Sequence, residues 1–333
     1  MTDHLRWGIL GPGYIAIKQT EALIAAGLRV TAVGSRSAAS AQKFVDHFGL
    51  ANVQAHGSYT DLVNDPEVDI VYVATPHSRH FDHAKLALLA GKHVLLEKAF
   101  AVTGDQAEVL VALAAERDLV LLEAMWTRHL PHMVRLREIL AAGTIGEVRT
   151  VIADHNQSLP TEPEHRLNDP KLAGGALLDL GIYPVSFAFD VLGAPTSVQA
   201  TASFTATGVD RQTSIVLGYD NGAHALLQCA LDTPGPNTAS VVGTAGWVSI
   251  DRVWYAPTGF TVYAPDGSVI ERFENDSVVN GMQYQALEVE RLVHAGLIAG
   301  KVMPPEQTVQ IMRVLDEIRA QVGLEYPGDI LAM

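Results

Sequence analysis

The sequence predicts two domains, an α/β domain followed by an α+β domain with a large, mainly antiparallel open sheet. Over about the first 125 residues, short apolar runs alternate with segments of helical periodicity, which is typical of a parallel sheet with helical crossovers. Later in the chain, strands rich in Val, Thr and Ala follow one another, separated by turn pairs such as Asp266-Gly267. The length of 333 residues also exceeds what one hydrophobic core usually serves.

The first part of the chain contains five predicted strands, each a short apolar run. They lie at residues 6–10, 30–33, 69–74, 93–96 and 119–123. Three helices between them are marked by their ends, because Gly49 and Gly91 stand at C-terminal ends and Thr103 is a good N-cap. These helices are predicted at 38–48, 79–90 and 107–117.

The second part begins with a long predicted helix at 175–192, in which Pro184 favours a kink or a short 3₁₀ stretch. Seven strands follow, at 198–205, 213–218, 223–230, 240–242, 248–250, 260–263 and 269–273. Consecutive strands joined by short turns pair antiparallel, so these strands predict an antiparallel sheet. Two more helices are predicted, at 283–299 and 306–322.

The composition argues against several classes of protein. Asp and Glu total 37 and Lys and Arg total 23, which leaves a formal charge of −14, whereas a general nucleic-acid binder needs a basic face. The single Cys229 excludes an intrachain disulfide and a thiolate zinc cluster, and it fits a reducing compartment. We found no run of about 18 uninterrupted apolar residues and no signal-peptide pattern. We therefore expect a soluble, cytoplasmic protein without nucleic-acid or membrane partners.

The segment 11–16, with the sequence Gly-Pro-Gly-Tyr-Ile-Ala, follows the first predicted strand and has the form G-x-G-x-x-A. Gly11 permits a tight turn, Gly13 lets the backbone approach a pyrophosphate, and the small Ala16 lets a helix pack on the strand. The helix N-terminus then offers N–H groups and a positive dipole end to the phosphates. Between a strand and a helix, this motif predicts the dinucleotide site of a Rossmann domain.

The end of the second strand indicates which dinucleotide binds. An enzyme that uses NAD usually has Asp or Glu there to bind the ribose 2′-hydroxyl, but this chain has Ser35 and Arg36. Arg36 can form a fork to a 2′-phosphate and stack on adenine, and Ser35 can donate a hydrogen bond. NADP is therefore favoured. A solvated surface arginine and an enzyme that accepts NAD are the alternatives.

Two groups of residues predict the reacting centre. Glu97 and Lys98 interrupt an apolar stretch at the carboxyl end of a predicted strand, where ligands of α/β sheets bind. In the helix at 175–192, Asp179 and Tyr183 are four residues apart among apolar neighbours. A tyrosine serves as general acid or base when a cation such as Lys98 stabilises its phenolate. The alternatives are a surface Lys–Glu pair and a core tyrosine whose hydroxyl bonds Asp179.

Three histidines, His77, His80 and His83, have a spacing that suggests a metal site. No carboxylate or cysteine stands beside them at the spacing of a zinc site, so we predict no metal and assign them to a polar substrate pocket. Trp126 is either a wall of the active site or an inter-domain core residue.

Taken together, these motifs resemble the Gfo/Idh/MocA oxidoreductase superfamily over nearly the whole chain, and most closely its dimeric dihydrodiol dehydrogenase and NADP-dependent D-xylose 1-dehydrogenase subgroup. The resemblance depends on the combination of motifs rather than on any one of them. These motifs are 11–16, Ser35-Arg36, Thr75-Pro76-His77 with His80, Glu97-Lys98, 123–128, 174–183, 237–240 with 243–246, and 281–284. One departure is Ala99, since the family usually has proline after the Glu-Lys pair, and this leaves the shape of that turn open.

The resemblance implies a Rossmann domain at 1–125 and a substrate-binding and dimerisation domain at 126–333, whose C-terminal helix can pack back on the first domain. It implies a homodimer or higher oligomer formed through the second sheet. It implies Lys98, Tyr183 and Asp179 as catalytic residues. The residues that it implies for cofactor binding are Gly11, Gly13, Tyr14, Ile15, Ala16, Ser35, Arg36, Thr75, Pro76, His77, His80, Glu97, Lys98, Trp126 and Arg128.

The expected activity is hydride transfer between nicotinamide C4 of NADP and a secondary hydroxyl or sugar lactol carbon of a small polyol, sugar or dihydrodiol. One alternative is a non-catalytic dinucleotide-binding regulator of the same fold, although Lys98, Asp179 and Tyr183 together argue against it. Another is an inositol or deoxysugar dehydrogenase, or a glycosidase, that uses NAD. Tyr183 stands where inositol dehydrogenases usually have histidine, which weakens the inositol alternative.

Overall fold

A computed structural model of the chain describes residues 4–275 and 280–332. The described residues divide into two compact units, one formed by 4–126 with 280–309 and the other by 127–275 with 310–332. The sequence analysis placed all residues after 125 in the second domain, whereas 280–309 belongs to the first unit. The hydrogen bonds that join this segment to the first unit span at least 185 positions in sequence, and local patterns do not report such contacts.

The first unit contains a six-stranded parallel sheet in the order β3-β2-β1-β4-β5-β6. Its strands are β1 Arg6–Leu10, β2 Arg29–Gly34, β3 Gln54–His56, β4 Ile70–Val73, β5 His93–Glu97 and β6 Leu121–Ala124. The five strands predicted from apolar runs are confirmed. The analysis missed β3 because it has three residues and its side chains are only partly buried or exposed.

Ten α-helices are found in the described residues. They are α1 Tyr14–Ala25, α2 Ala38–Phe48, α3 Tyr59–Val63, α4 His80–Leu89, α5 Gly104–Glu116, α6 Pro131–Ala141, α7 Ile182–Leu192, α8 Gln283–His294, α9 Pro305–Val322 and α10 Gly328–Leu331. The predicted cap of α5 is confirmed, since Thr103 Oγ1 accepts a hydrogen bond from the Gln106 N–H at 3.1 Å. Gly49 ends α2 in the left-handed conformation, with φ of 60°.

Helix α8 completes the first unit from the C-terminal side of the chain. Its Glu290 accepts a hydrogen bond from the Trp7 indole N–H at 2.9 Å, which joins α8 to β1. The Gln285 amide donates to Gln19 Oε1 of α1 at 2.9 Å. Trp7, Gln19 and Gln285 are fully buried, so these bonds satisfy polar groups that water cannot reach.

The second unit contains an eight-stranded sheet in the order β14-β13-β12-β11-β7-β10-β9-β8. Its strands are β7 Val148–Asn156, β8 Ser197–Phe204, β9 Asp210–Gly218, β10 His224–Ala230, β11 Ala239–Gly243, β12 Gly246–Ile250, β13 Phe260–Tyr263 and β14 Val269–Phe273. Every pairing is antiparallel except that of β7 with β10, so the predicted, mainly antiparallel sheet is confirmed. The analysis missed β7, which lies near the middle of the sheet.

The helix predicted at 175–192 consists of two parts, a π-helical turn Leu177–Gly181 and then α7. The 3₁₀ stretch predicted as one option near Pro184 is therefore wrong, because the irregular turn is wider than an α-helix rather than tighter, whereas the other option, a kink, stays a prediction. Pro184 has no N–H to donate to the carbonyl four residues earlier, which favours a different hydrogen-bond pattern just before it. The stretch Pro170–Leu192 is long enough to span a membrane and contains an 18-residue window with a mean hydropathy of 1.5, but 94% of that window is buried inside the protein, as in a core helix.

Candidate functional site

The parallel sheet reverses its strand order between β1 and β4, and ligands of such sheets bind at the carboxyl ends of these strands. Gly11 follows β1 with φ of 90°, a left-handed conformation that suits glycine. A β-carbon at Gly11 would lie 2.8 Å from Thr75 Cγ2 and 3.1 Å from the Ala74 carbonyl oxygen. Glycine is therefore required for two reasons, backbone conformation and contact with the end of β4.

The start of α1 has the form of a phosphate cradle. Gly13 is the N-cap of α1, and a β-carbon there would meet no protein atom within 4 Å. Tyr14 is exposed and Ile15 is partly exposed, whereas Ala16 is fully buried beneath the helix. The N-terminal N–H groups of α1 thus face an open approach over bare backbone, which fits the pyrophosphate of a dinucleotide.

Beyond β2, the chain offers a cation rather than an acid. Ser35 is buried and its backbone N–H donates to the His56 carbonyl at 3.2 Å, while Arg36 is exposed. Arg36 lies near enough to Tyr59 that its charge opposes the rise in the pKa of that phenol, which burial causes. The exposed guanidinium fits the 2′-phosphate of NADP, as the sequence predicts.

Tyr59 and His83 form a small cluster on the same unit, and the sequence analysis assigned neither to cofactor binding. Their rings meet edge to face with centroids 4.6 Å apart. His83 Nδ1 forms a hydrogen bond of 3.0 Å with Thr75 Oγ1. Burial lowers the pKa of His83 to about 4, so its imidazole is neutral near pH 7. The cluster connects Thr75, at the end of β4, to the neighbourhood of Arg36.

His80 is held by backbone carbonyls of two segments of the first unit, and its predicted contact with the cofactor stays a prediction. Its ring is fully buried, with Nε2 2.8 Å from the Thr75 carbonyl oxygen and Nδ1 2.7 Å from the Ala99 carbonyl oxygen. Burial lowers the pKa of His80 to about 3. His80 therefore joins the chain after β4 to the chain after β5. His77, whose ring lies 5.5 Å from that of His80, is also buried.

The turn after β5 carries Lys98. Glu97 is buried, accepts a hydrogen bond from the Tyr72 hydroxyl, and accepts a second from the Lys98 backbone N–H at 3.2 Å. The Lys98 side chain is partly exposed, and the Lys98–Ala99 peptide bond is cis. Tyr72, which the sequence analysis did not single out, thus holds Glu97 in place at the turn that bears the predicted catalytic lysine.

The predicted catalytic residues are divided between the two units, with Lys98 in the first and Asp179 and Tyr183 in the second. Asp179 lies in the π-helical turn and Tyr183 in the first turn of α7, and both are buried. Both guanidinium nitrogens Nη1 and Nη2 of Arg166 approach Asp179 Oδ1, at 3.3 and 3.4 Å. The catalytic pairing of Lys98 with Tyr183 stays a prediction.

Two aromatic residues beside Tyr183 were missed by the sequence analysis. The His155 ring meets Tyr183 edge to face with centroids 4.8 Å apart, and it stacks on Tyr255 at 3.7 Å. Gln157 Nε2 lies 2.8 Å from His155 Nε2. Burial, with Tyr183 adding to it, raises the pKa of Tyr255 to about 12, so Tyr255 keeps its proton near pH 7. Recognition of β7 as an alternating strand would have identified His155 as an inward-facing residue.

Asp210 holds the start of the π-helical turn. This fully buried carboxylate accepts hydrogen bonds at Oδ2 from the Leu177 N–H and the Thr213 hydroxyl, both at 2.8 Å. A β-carbon at Gly175, whose φ is 118°, would lie 2.1 Å from Asp210 Oδ1. Burial raises the pKa of Asp210 to about 6. The glycine is therefore a condition for the carboxylate to reach the turn that carries Asp179.

Arg128, another predicted cofactor residue, contacts α7. Its buried guanidinium donates to Ser186 Oγ at 2.9 Å and to the Ser186 carbonyl at 2.6 Å, and Nη1 lies 3.7 Å from Asp190. These bonds hold α7, and the predicted contact of Arg128 with the cofactor stays a prediction. Trp126 is partly exposed.

Among residues 4–275 and 280–332, no group of three His, Cys, Asp or Glu side chains has the geometry to hold a metal ion.

Two family models match the chain. One, described as an oxidoreductase family with an NAD-binding Rossmann fold (GFO/IDH/MocA), matches residues 5–125. The other, described as the GFO/IDH/MocA C-terminal domain, matches residues 133–249. The two models together match well over half of the chain.

The chain is also similar to characterised proteins over nearly its whole length. It is 36% identical to trans-1,2-dihydrobenzene-1,2-diol dehydrogenase of Mus musculus, over 98% of this chain and 99% of the relative. It is 35% identical to D-xylose 1-dehydrogenase (NADP(+)) of Hypocrea jecorina, over 97% and 93%. A solved 3-ketoreductase from Actinomadura kijaniata, in complex with NADP and TDP-benzene, is 28% identical with a TM-score of 0.85, and the match covers 96% of this chain and 98% of that one.

We predict that Asp210→Asn changes how stability depends on pH. The pKa of Asp210 in the folded state, about 6, is above the ordinary value of 3.8. Between about pH 4 and 6, more of the folded protein than of the unfolded protein therefore carries this proton. The stability from this group is present below pH 4 and is lost as pH rises through 6, by about 3 kcal/mol. Chemical denaturation of both proteins from pH 4 to 7 should show this extra fall only in the wild type.

Leu177→Ala, in the same turn, is the control for the Asp210 prediction, since it removes a buried side chain without an ionisable group. It should lower the free energy of unfolding at every pH and leave the slope unchanged. Equal slopes for the wild type and Asp210→Asn would show that the carboxyl titrates alike in the folded and unfolded states.

Proposed function

Because this chain belongs to the Gfo/Idh/MocA family of oxidoreductases, we propose that it transfers a hydride between NADP and a hydroxyl-bearing carbon of a small substrate. Membership makes the chain an oxidoreductase with a nicotinamide-dinucleotide-binding Rossmann domain. The reacting carbon that we propose is a secondary alcohol or a sugar lactol of a polyol, sugar or dihydrodiol. Two relatives, named as dehydrogenases of a dihydrodiol and of D-xylose, support this class of substrate.

One observation carries the proposal, namely the arrangement at the carboxyl edge of the parallel sheet. The bare backbone of Gly13 and the α1 N-terminus follow β1, the exposed Arg36 follows β2, and Lys98 follows β5. A pyrophosphate, a 2′-phosphate and a reacting oxygen are the groups that these three features suit. NADP contains the first two, and the relative from Hypocrea jecorina is named for it.

Held by Gly13, the α1 N-terminus and Arg36, the cofactor would supply a hydride acceptor for oxidation of the substrate and, in its reduced form, a hydride donor for reduction. Tyr183 removes the proton of the substrate hydroxyl during oxidation and returns it during reduction, at its own phenolic oxygen. Lys98 supplies the positive charge that favours the phenolate, and Asp179 orients the substrate hydroxyl. Tyr183 is buried, and His155 and Tyr255 against its ring limit access of water to it.

We also propose that the outer face of the second sheet forms a homodimer interface. Ile152 on β7, Leu226 on β10 and Val216 on β9 are 45%, 44% and 37% exposed on three adjacent strands. Trp247 and Tyr263 stack with centroids 5.0 Å apart on the neighbouring strands β12 and β13. A wide apolar area of this kind on an open sheet is typical of a surface that a second subunit covers.

The proposed acid–base roles predict that Tyr183→Phe and Lys98→Met each lower kcat about 100-fold or more, the usual contribution of such a group. The assay is NADPH absorbance at 340 nm over a panel of sugars, polyols and dihydrodiols, run with NADP and with NAD. NADP affinity, measured by quenching of protein fluorescence, is the control and should remain for Tyr183→Phe. Near-normal rates in both variants with cofactor still bound would contradict the mechanism, and no wild-type turnover over the panel would contradict the proposed function.

The proposed role of Arg36 predicts that Arg36→Ala weakens NADP binding by about 10- to 100-fold, the loss of a charge-assisted fork to a phosphate. NAD lacks the 2′-phosphate, so its affinity should change little. Arg29 lies at the opposite end of β2 and is exposed, as Arg36 is. Arg29→Ala is therefore the matched control and should bind both cofactors like the wild type. A similar loss for NAD and NADP would assign Arg36 to the adenosine rather than to the 2′-phosphate.

The proposed interface predicts a dimer in solution that Leu226→Glu converts to a monomer, because a carboxylate buried between two subunits loses its hydration. Light scattering after size-exclusion chromatography measures the mass. Leu89→Glu on α4, where Leu89 is 50% exposed, is the control and should remain dimeric. A monomeric wild type, or a dimer that survives Leu226→Glu, would remove this face as the interface.

A further inference from the structure

Arg166 occupies a position that none of the motifs pointed to. It begins a short 3₁₀ turn, Arg166–Asn168, and its two terminal nitrogens share a single oxygen, Asp179 Oδ1, at 3.3 and 3.4 Å. The Arg166 side chain is 50% exposed, whereas that of Asp179 is 10% exposed. A buried carboxylate beside the predicted acid–base tyrosine is therefore paired with an arginine that reaches it from the solvent side.

The backbone that carries Arg166 is held rigidly against the segment that leads to Asp179. A β-carbon at Gly174 would lie 2.5 Å from the Leu167 carbonyl oxygen and 2.9 Å from that of Arg166. The Gly175 N–H donates to the Leu167 carbonyl at 2.9 Å. The two glycines thus allow the 3₁₀ turn to lie directly against the chain just before the π-helical turn.

The other side of the same turn is held by Asn168. This buried amide donates to the Pro160 carbonyl at 2.9 Å and to the Glu162 carbonyl at 3.0 Å, which ties the preceding loop to the turn. Leu167, which lies between Arg166 and Asn168, is buried as well. With the backbone held on both sides, the position of the guanidinium depends on the rotamer of one side chain and on its bond to Asp179.

We propose that Arg166 is a positioning residue for the hydride-transfer reaction, which acts by holding the Asp179 carboxylate in one orientation. The inference rests on the proposed function, in which Asp179 orients the substrate hydroxyl. Two guanidinium N–H groups that contact one carboxylate oxygen hold that oxygen in place, which limits rotation of the Asp179 carboxylate. Because Arg166 is half exposed and its bonds are long, the pair contributes little to stability, so its effect is expected in turnover rather than in folding.

The second unit contains a matched control for this proposal. Arg211 Nε lies 3.5 Å from Asp232 Oδ2, and the Arg211 side chain is 47% exposed. Arg211→Gln therefore breaks an ion pair of similar length, whose arginine is similarly exposed and whose two residues belong to none of the predicted motifs. A general effect of losing one surface arginine would appear in both Arg211→Gln and Arg166→Gln.

The first experiment compares steady-state kinetics of Arg166→Gln and Arg211→Gln with the best substrate of the panel. Arg166→Gln should lower kcat by about 10-fold, the size of a lost positioning contact, with the NADP dissociation constant and the thermal midpoint unchanged. Arg211→Gln should behave like the wild type. Millimolar guanidinium ion should restore part of the activity of Arg166→Ala, and an equal concentration of ammonium should not, because it lacks the planar fork.

The second experiment asks whether Arg166 acts through Asp179, by a double-mutant cycle with Asp179→Asn. If it does, Arg166→Gln adds no further loss once the carboxylate is gone, and the double variant has the kcat of Asp179→Asn alone. Losses that multiply would overturn the inference, because they would show that the arginine acts independently of Asp179. A loss accompanied by weaker NADP binding or a lower thermal midpoint would overturn it too, in favour of a structural role.

The two proposals fail in distinguishable ways. A wild-type enzyme without turnover on any substrate of the panel overturns the proposed function and, with it, the role of Arg166. An active wild type with Arg166→Gln indistinguishable from Arg211→Gln overturns the role of Arg166 alone and leaves the proposed function standing.

Discussion

At the reversal of the parallel sheet, the backbone of Gly11 lies so close to Thr75 that a β-carbon would come within 2.8 Å of the threonine methyl. This contact sets the distance between the ends of β1 and β4, and other features of the first unit are built outward from it. The carbonyl of Thr75 bonds His80, which also bonds Ala99 in the turn of Lys98. The hydroxyl of Thr75 bonds His83, which lies against Tyr59 near Arg36. One threonine thus links the phosphate cradle, the lysine turn and the cation that suits NADP.

In the second unit, a polar side chain likewise joins a loop to the sheet. Asp154 of β7 accepts the backbone N–H groups of Asn237 and Thr238 at 2.9 Å, and its carbonyl accepts the Trp254 indole N–H at 2.7 Å. These bonds anchor the segment that presents Tyr255 to His155. Because side chains alternate along a strand, β7 places Asp154 toward these loops and His155 toward Tyr183. A single strand therefore anchors the segment that presents Tyr255 and also places His155 beside Tyr183.

The net negative charge of the protein explains why local groups are needed to hold an anionic cofactor. The formal charge of −14 repels an anion such as NADP, so the cofactor must be held by short-range groups. Backbone N–H groups at the start of α1 and the guanidinium of Arg36 are such groups, since they act within hydrogen-bond distance. An acidic surface and an anionic cofactor are compatible because screening by salt weakens the long-range field much more than it weakens direct contacts.

Local patterns in the sequence were enough to locate most secondary-structure elements and to identify the glycine motif. Apolar runs located the strands of both sheets except β3 and β7, the Thr103 cap and the Gly49 end of α2 were correct, and the glycine motif lies at the switch point. Which polar groups contact one another became visible only in the folded structure. His80 and Arg128 carry chemical groups that suit a cofactor, yet the fold buries both against other parts of the chain. Arg166, His155 and Asp210 gain their roles from contacts 13, 28 and 33 residues away in sequence, and such contacts follow from packing rather than from periodicity.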